Sequence, residues 1–247
     1  MAGGDLLMLI INDLSVVYPD RTRALDALSL TLGGGESVAL IGANGAGKTS
    51  LIMAVVGVLP SAGEIVVDGI KLNKETVRSV RALAGVVFQN PDDQLFMPTV
   101  YEDVAFGPRN LGVEDVDARV EKYLAMLHIS HLRSKNAARL SGGEKRMAAL
   151  ASVLSMEPKL VLFDEPSAFL DPKARRNLIQ TLNGLGRTKL VATHDLAFAL
   201  ETCKRAVLLK EGKVFADGLS NEILFNEKLM DACGVEAIPP YRKGSGV

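Results

Sequence analysis

The sequence predicts an α/β fold with a helical lobe inserted into it. Three observations predict this. Short β-branched runs bounded by Gly, Pro and Asp fill the first part of the chain. Strand–helix alternation resumes after Pro158. Between them, from about Pro98 to Glu157, roughly sixty residues carry helical periodicity, so a lobe interrupts the alternating core. A chain of 247 residues has room for one large domain and one well-packed core.

The elements follow in order. The apolar run Leu6–Ile11 meets Asn12 and Asp13 at once and reads as a first strand. It lacks a basic flank and carries Asp5 before it, which excludes a secretory signal. No apolar run approaches the ~18 residues that span a bilayer, so the chain is expected to be soluble, cytoplasmic and not itself inserted in a membrane. "LSVVY", "LSLTL", "SVALIG", "EIVVDG" and "AGVVFQ" are further strands. "VEDVDARVEKYLAMLHI" sets Val116, Val120, Leu124 and Leu127 at helical spacing, and "GGEKRMAALASVLSM" is a second helix closed by Pro158. Then come a strand in "KLVLFDEP", a helix in "PKARRNLIQTLNGL" with Pro at its start, a strand in "TKLVAT" and a helix in "DLAFALETC". "RAVLLKEGKVFADG" reads as a hairpin around Glu211-Gly212, and "PPYRKGSGV" as a frayed end.

Composition narrows the function classes. Hydrophobic residues make up 48% and charged residues 23%, as in a packed globular chain. The net charge is -1, from 28 basic and 29 acidic residues, which argues against broad binding to nucleic acid or to an anionic membrane. Cys203 and Cys233 have no metal-ligand spacing and read as small reduced core residues. His128, His131 and His194 are too scattered for a metal cluster.

The chemistry is concentrated in short motifs. "GANGAGKT", Gly42 to Thr49, has the spacing G-x-x-x-x-G-K-[ST] between a strand and a helix. Its glycines let backbone N–H groups turn inward onto phosphate oxygens, Lys48 can reach the β- and γ-phosphates, and the Thr49 hydroxyl can ligate Mg²⁺. "LVLFDE" is an apolar strand ending in two carboxylates. Alone it is as readily a plain strand end. Beside a phosphate loop, Asp164 would hold Mg²⁺ and Glu165 would orient or deprotonate the attacking water. His194 and Gln89 each end a strand where α/β sheets bind ligands. His194 could bond the γ-phosphate, and Gln89 could serve Mg²⁺ through its oxygen and water through its amide. Tyr18 ends an early strand, where packing and stacking on adenine are about equally good readings. Ser141 to Glu144, "SGGE", has the spacing of a capping box, with Ser141 as N-cap and Glu144 reaching back to its N–H. That reach would leave the Ser141 hydroxyl and the N–H groups of Gly142 and Gly143 to an anion.

Five motifs therefore stand in one order: "GANGAGKT", "VVFQNP", "LSGGEKR", "LVLFDEP" and "VATHD". This arrangement resembles the nucleotide-binding subunit of ABC transporters over nearly the whole chain. The resemblance implies a P-loop NTPase core of RecA-like type with an antiparallel β subdomain and an inserted helical subdomain. It implies one domain over 6–225, with the α/β core in 6–89 and 158–218, the helical subdomain in about 98–157, and a short tail over 226–247. It implies ATP and Mg²⁺. The nucleotide contacts would be Tyr18, Gly42, Asn44, Gly45, Ala46, Gly47, Lys48, Thr49, Ser50 and Gln89, with Ser141, Gly142, Gly143, Glu144 and Asp171 serving a partner's nucleotide. Thr49, Gln89 and Asp164 would attend the metal, and Glu165, His194, Lys48 and Gln89 the chemistry. Two departures stand out: Phe169 where the family pattern has Gly, and Glu144 where it more often has Gln.

A narrower likeness is carried by "QNPDDQLFMPTVYEDVAFGPRNLG", which resembles the energy-coupling-factor branch and its cobalt and nickel importers. There Asn90, Asp92, Asp93 and Gln94 would help shape a docking surface for an integral membrane coupling subunit. As residues alone they are good turn formers before a helix. The resemblance implies an ATPase at the cytoplasmic face of the membrane, paired with a second copy or a close relative. A vitamin importer, a non-transport ABC ATPase and a non-hydrolysing regulator are the competing readings; the presence of both Glu165 and His194 weighs against the last.

Overall fold

The computed structural model describes residues 7–168 and 170–238. It opens with β1 (Leu7–Val17) and β2 (Arg23–Gly33), a long antiparallel pair. The sequence suggests two separate strands before Tyr18, and the structure has one. A register shift between Ile11 and Leu14, spanning Asp13 with its φ of +49°, and another between Leu14 and Val16 bend that strand without breaking it. β3 (Ser37–Ile41) leads through the glycine-rich loop into α1 (Lys48–Val55). β4 (Ala62–Val67) and β5 (Ile70–Lys71) complete a four-stranded antiparallel sheet in the order β2-β1-β4-β5. A helix that the sequence reading does not anticipate, α2 (Val77–Leu83), precedes β6 (Ala84–Val87).

The expected helical block contains three helices. They are α3 (Val100–Asn110), α4 (Val116–Met126) and α5 (Gly142–Leu154). Each starts on a side-chain cap, from Thr99, Asp115 and Ser141 respectively. Gly112 and His128 hold positive φ in the connections and turn the chain between helices.

The second half supplies β7 (Leu160–Asp164), α6 (Pro172–Gly184), β8 (Thr188–Ala192), α7 (Leu196–Thr202), β9 (Arg205–Lys210) and β10 (Lys213–Leu219). Glu211 and Gly212, with φ of +50° and +75°, make the two-residue hairpin turn between the last two strands. These strands join β3 and β6 in a six-stranded sheet of order β10-β9-β3-β8-β7-β6, parallel except at β10. Its central strands β7 and β8 are buried at every position, which is why they read as unbroken apolar runs.

Alternation along β7 divides the core into two layers. Leu160 and Leu162 pack with the antiparallel sheet and α1, while Val161 and Phe163 pack with the helical side. That second cluster runs without interruption from Phe163 and Val191 to Val104, Leu124 and Leu150, so the lobe shares a core with the main sheet. The sequence reading ends the domain at 225, but the packed chain continues. After α8 (Ser220–Ile223), α9 (Glu227–Ala232) buries Met230, and the Ile238 N–H donates to the Leu224 carbonyl at 3.0 Å. Cys203 and Cys233 are free and buried; burial pushes the Cys203 thiol up to about 11, which makes it inert. Phe169 and "PPYRKGSGV" lie outside the described residues.

Candidate functional site

The loop after β3 is shaped by close approach. A Cβ on Gly42 would lie 2.5 Å from the Leu209 carbonyl, and one on Gly47 would lie 2.5 Å from the Ala24 carbonyl. Gly47 also has φ of +107°, which an L side chain rarely adopts. The loop therefore curls tightly and delivers Lys48 to the first turn of α1.

Around it lies a cavity of about 510 Å³. Its walls include Tyr18, Asn44 to Ser50, Gln89, Asp164, Glu165 and His194. The chain thus brings together the sequence-predicted residues of the phosphate loop and the ends of three parallel strands. Gly42 sits at the root of the loop and its carbonyl accepts from Lys48 Nζ at 2.7 Å; the Ala43 carbonyl accepts at 3.3 Å. Burial pushes the Lys48 pKa down, opposed by the facing carboxylates of Glu165 and Asp164. Tyr18 shares a hydrogen bond of 3.0 Å with Ser50 Oγ, which fixes the ring at the cavity edge. Thr22, Arg23 and Ala24 line the same cavity. Sequence reasoning misses them because they form an ordinary turn and strand start with no motif.

The carboxylate-bearing wall of this cavity is built from neighbouring strands. The Thr49 hydroxyl donates to Asp164 Oδ2 at 2.8 Å. Burial pushes the Asp164 carboxyl above its ordinary value, opposed by that bond. A threonine hydroxyl, a buried carboxylate and the Gln89 amide in one cavity form a set of hard oxygen donors that suits Mg²⁺, which takes few protein ligands beside phosphate and water. When bound there, Mg²⁺ would neutralise charge on the phosphates. Glu165 has φ of +46°, a strained conformation for a non-glycine residue. Its Oε2 lies 2.8 Å from His194 Nδ1 and accepts from the His194 N–H at 3.2 Å. The β8 end therefore holds the carboxylate in place from two sides.

Ser141, Gly143, Glu144 and Asp171 are elsewhere. They line a separate cavity of about 550 Å³ with His128, His131 and Met147. The capping box is present: Ser141 Oγ accepts from the Glu144 N–H at 3.3 Å, and Glu144 Oε2 accepts from the Ser141 N–H at 2.8 Å. The Ser141 hydroxyl is not left free, because it also donates to Glu144 Oε2 at 2.9 Å. A carboxylate oxygen has lone pairs for both donors and takes both. Gly142 adds nothing to crowd this edge, since a Cβ there would meet open space. Asp171 caps α6 by accepting from the N–H groups of Lys173 and Ala174.

Of the four residues after Gln89 expected at a docking surface, Asn90, Asp92 and Asp93 are exposed and Gln94 is half-buried against α5. The Gln94 amide donates to the Ala149 carbonyl and Ser152 Oγ, and its oxygen accepts from the Phe88 N–H. What the segment does present to solvent is Phe96, 64% exposed, edge-on to Phe106 with ring centroids 5.0 Å apart.

A phosphate loop on a parallel sheet, opposite carboxylates at strand ends and beside an inserted helical lobe, defines a P-loop NTPase of the ATP-binding-cassette type. The ABC transporter family model matches residues 25–168. A Geobacter sulfurreducens protein, provisionally described as an ABC transporter ATP-binding protein, is 45% identical over 92% of both chains. The energy-coupling factor transporter ATP-binding protein EcfA of Methanothermobacter thermautotrophicus is 40% identical, over 90% of this chain and 74% of that one. The structure of cbiO1 from Clostridium perfringens, described as part of the ABC transporter complex cbiONQ, superposes with a TM-score of 0.81. It is 34% identical over 92% of this chain and 94% of its own. The chain belongs to the ABC transporter family and is an ATP-binding subunit with energy-coupling-factor relatives. It is an ATPase that uses ATP with Mg²⁺.

Proposed function

We propose that this ATPase powers an energy-coupling-factor importer for cobalt or nickel ions, working as a pair of chains that closes on two ATP molecules. One observation carries the pairing: the site residues fall into two separate cavities of one chain. Lys48, Asp164, Glu165 and His194 line the first, and Ser141, Gly143 and Asp171 the second. The first holds phosphates from one side. The second is a helix N-terminus, suited to an anion, with no phosphate loop of its own. Two chains facing each other would complete each site from both.

In this reading Gly42 to Ser50 cradle the phosphates, Tyr18 stacks on the base, and Thr49, Gln89 and Asp164 serve the metal. Glu165, held by His194, takes the proton of the attacking water. Closure excludes water and completes the site; loss of the γ-phosphate removes what both chains share, and the pair opens. The substrate assignment rests on the "QNPDDQLF" segment and its resemblance to cobalt and nickel importers. No helix among the described residues is long and apolar enough to cross a membrane. The Phe96–Phe106 pair offers an apolar surface for an integral membrane coupling subunit, which would hold the chain at the cytoplasmic face.

The experiment is to replace Glu165 by Gln and follow the protein by size-exclusion chromatography with ATP and Mg²⁺. A stable dimer is expected, and monomers at all ATP concentrations would overturn the reading. Cobalt or nickel uptake by cells with and without the chain tests the substrate.

A further inference from the structure

A cavity of about 760 Å³, larger than either of those above, lies at the opposite end of the main sheet from the phosphate loop. Ser37 and Lys189, paired in register at the starts of β3 and β8, line it. The phosphate loop and His194 follow the far ends of the same two strands, about 15 Å away at the rise of a parallel strand. Lys189 is 4% exposed. Its Nζ donates to the Leu185 carbonyl at 2.8 Å and to the Arg187 carbonyl at 3.3 Å. Leu185 is the C-cap of α6, where a cation is favoured. An ammonium carries three N–H donors, so one is left over. Among the described residues no carboxylate pairs with Lys189, and burial pushes its pKa down.

A second polar group lines this cavity without a partner. Ser220 is 2% exposed, and its Oγ makes no hydrogen bond among the described residues. A buried hydroxyl left unpaired costs free energy, which a ligand group in the cavity would recover. Two carboxylates also line the walls, but both are already engaged. Glu36 accepts from Arg205 Nη1 at 3.1 and 3.2 Å and from the Gly33 N–H at 2.8 Å. Glu201 accepts from Arg175 at 3.0 Å. The charge left unmatched is positive, from buried Lys189 and exposed Lys204. Leu200, Leu219 and the neutral Cys203 thiol supply apolar wall between these groups. Apolar walls with a few polar groups are the usual make-up of a small-molecule site.

We propose that this cavity binds a small organic monocarboxylate, held at its charged end by Lys189 and Ser220 and along its apolar body by Leu200 and Leu219. Two carboxylate oxygens match one ammonium donor and one hydroxyl. A phosphate dianion asks for more donors than these walls supply; the phosphate loop meets that need with a run of backbone N–H groups. The site is separate from the nucleotide cavity and stands independently of how two chains pair.

The test titrates the isotope-labelled full chain with sodium hexanoate and follows backbone amides by NMR. Saturating Mg-ADP keeps the phosphate cavity filled. Hexanamide, the neutral isostere, and inorganic phosphate are the comparison probes. Hexanoate should give saturable shifts at the amides of Ser37, Lys189, Cys203 and Ser220. Its dissociation constant should lie in the millimolar range or below, as suits so small a ligand. Hexanamide should bind roughly tenfold more weakly, because it lacks the charge that Lys189 answers. Ser220→Ala should weaken hexanoate roughly two- to tenfold and leave ATPase activity as it was. Lys189→Met should weaken it roughly ten- to a hundredfold. Should Lys189→Met fail to fold because α6 loses its cap, hexanamide and Ser220→Ala carry the same test. Equal binding of hexanoate and hexanamide would overturn the proposal, as would phosphate shifting the same amides as strongly. Hexanoate shifts absent from those four amides, or an affinity unchanged by Ser220→Ala, would overturn it too.

Discussion

Glu144 shows how much a single side chain decides. Its carboxylate takes both the N–H and the hydroxyl of Ser141, and the Ser141 backbone N–H is the main reason it is held below the ordinary glutamate range. For a carboxylate with a lowered pKa, the stabilisation is present above the unfolded value and is lost as pH falls through the folded one. Acid should therefore loosen the start of α5, while Glu144→Gln should make that step independent of pH; amide exchange at Gly143 and Glu144 between neutral and acid conditions checks this. The same substitution frees the Ser141 hydroxyl from a charged acceptor, so ATP-dependent dimerisation should hold or rise. At the other cavity, Glu165→Gln keeps the shape held by His194 but removes the carboxylate proposed as the base. Steady-state phosphate release should fall by roughly 10²–10⁴-fold. At this scale much of the site could be read from the sequence, because strand-end carboxylates and a capping box are local patterns. Arg146 could not: an Arg on a helix carrying "EKR" reads as solvated surface, and only the fold shows it buried against the carbonyls of Phe88 and Gln89.

The phosphate loop is the element whose form is most strongly determined. Gly47 combines a left-handed backbone with a wall 2.5 Å away, so Gly47→Ala must move either the loop or β2. A cost of about 1–3 kcal/mol is expected for the strained backbone alone. ATP binding should weaken sharply by isothermal titration while the melting temperature falls only modestly; unchanged ATP affinity would contradict the geometry. The loop was legible because its spacing and its strand–helix context are both short-range. The lobe was legible only as a block. Its helical period is plain, but the breaks at Gly112 and His128 arise where the chain must turn back on α3, and His128 carries no turn signal of its own. α2 escapes the sequence pattern for a related reason: seven residues with one fully buried side chain, Val80, leave no periodic stripe to see. The continuation of packing past 225 depends on Met230 reaching a core built by distant segments, which no local pattern announces.

At the scale of the whole molecule, one chain carries two unlike cavities and an exposed aromatic pair beside the lobe junction. If Phe96 and Phe106 meet the membrane subunit, replacing both by Ala should abolish co-purification with it from solubilised membranes and leave ATPase activity of the isolated chain intact. Retained co-purification would place the docking surface elsewhere. The central claim is that each catalytic site is made of Gly42 to Thr49 from one chain and Ser141 to Gly143 from another. The most direct measurement mixes two inactive variants, Lys48→Ala and Ser141→Arg, and follows phosphate release. In a two-fold pair, a mixed dimer has one site carrying both defects and one carrying neither, so an equimolar mixture should regain up to about a quarter of the parental rate. Failure of the mixture to regain activity, or full activity of either variant alone, would contradict the account.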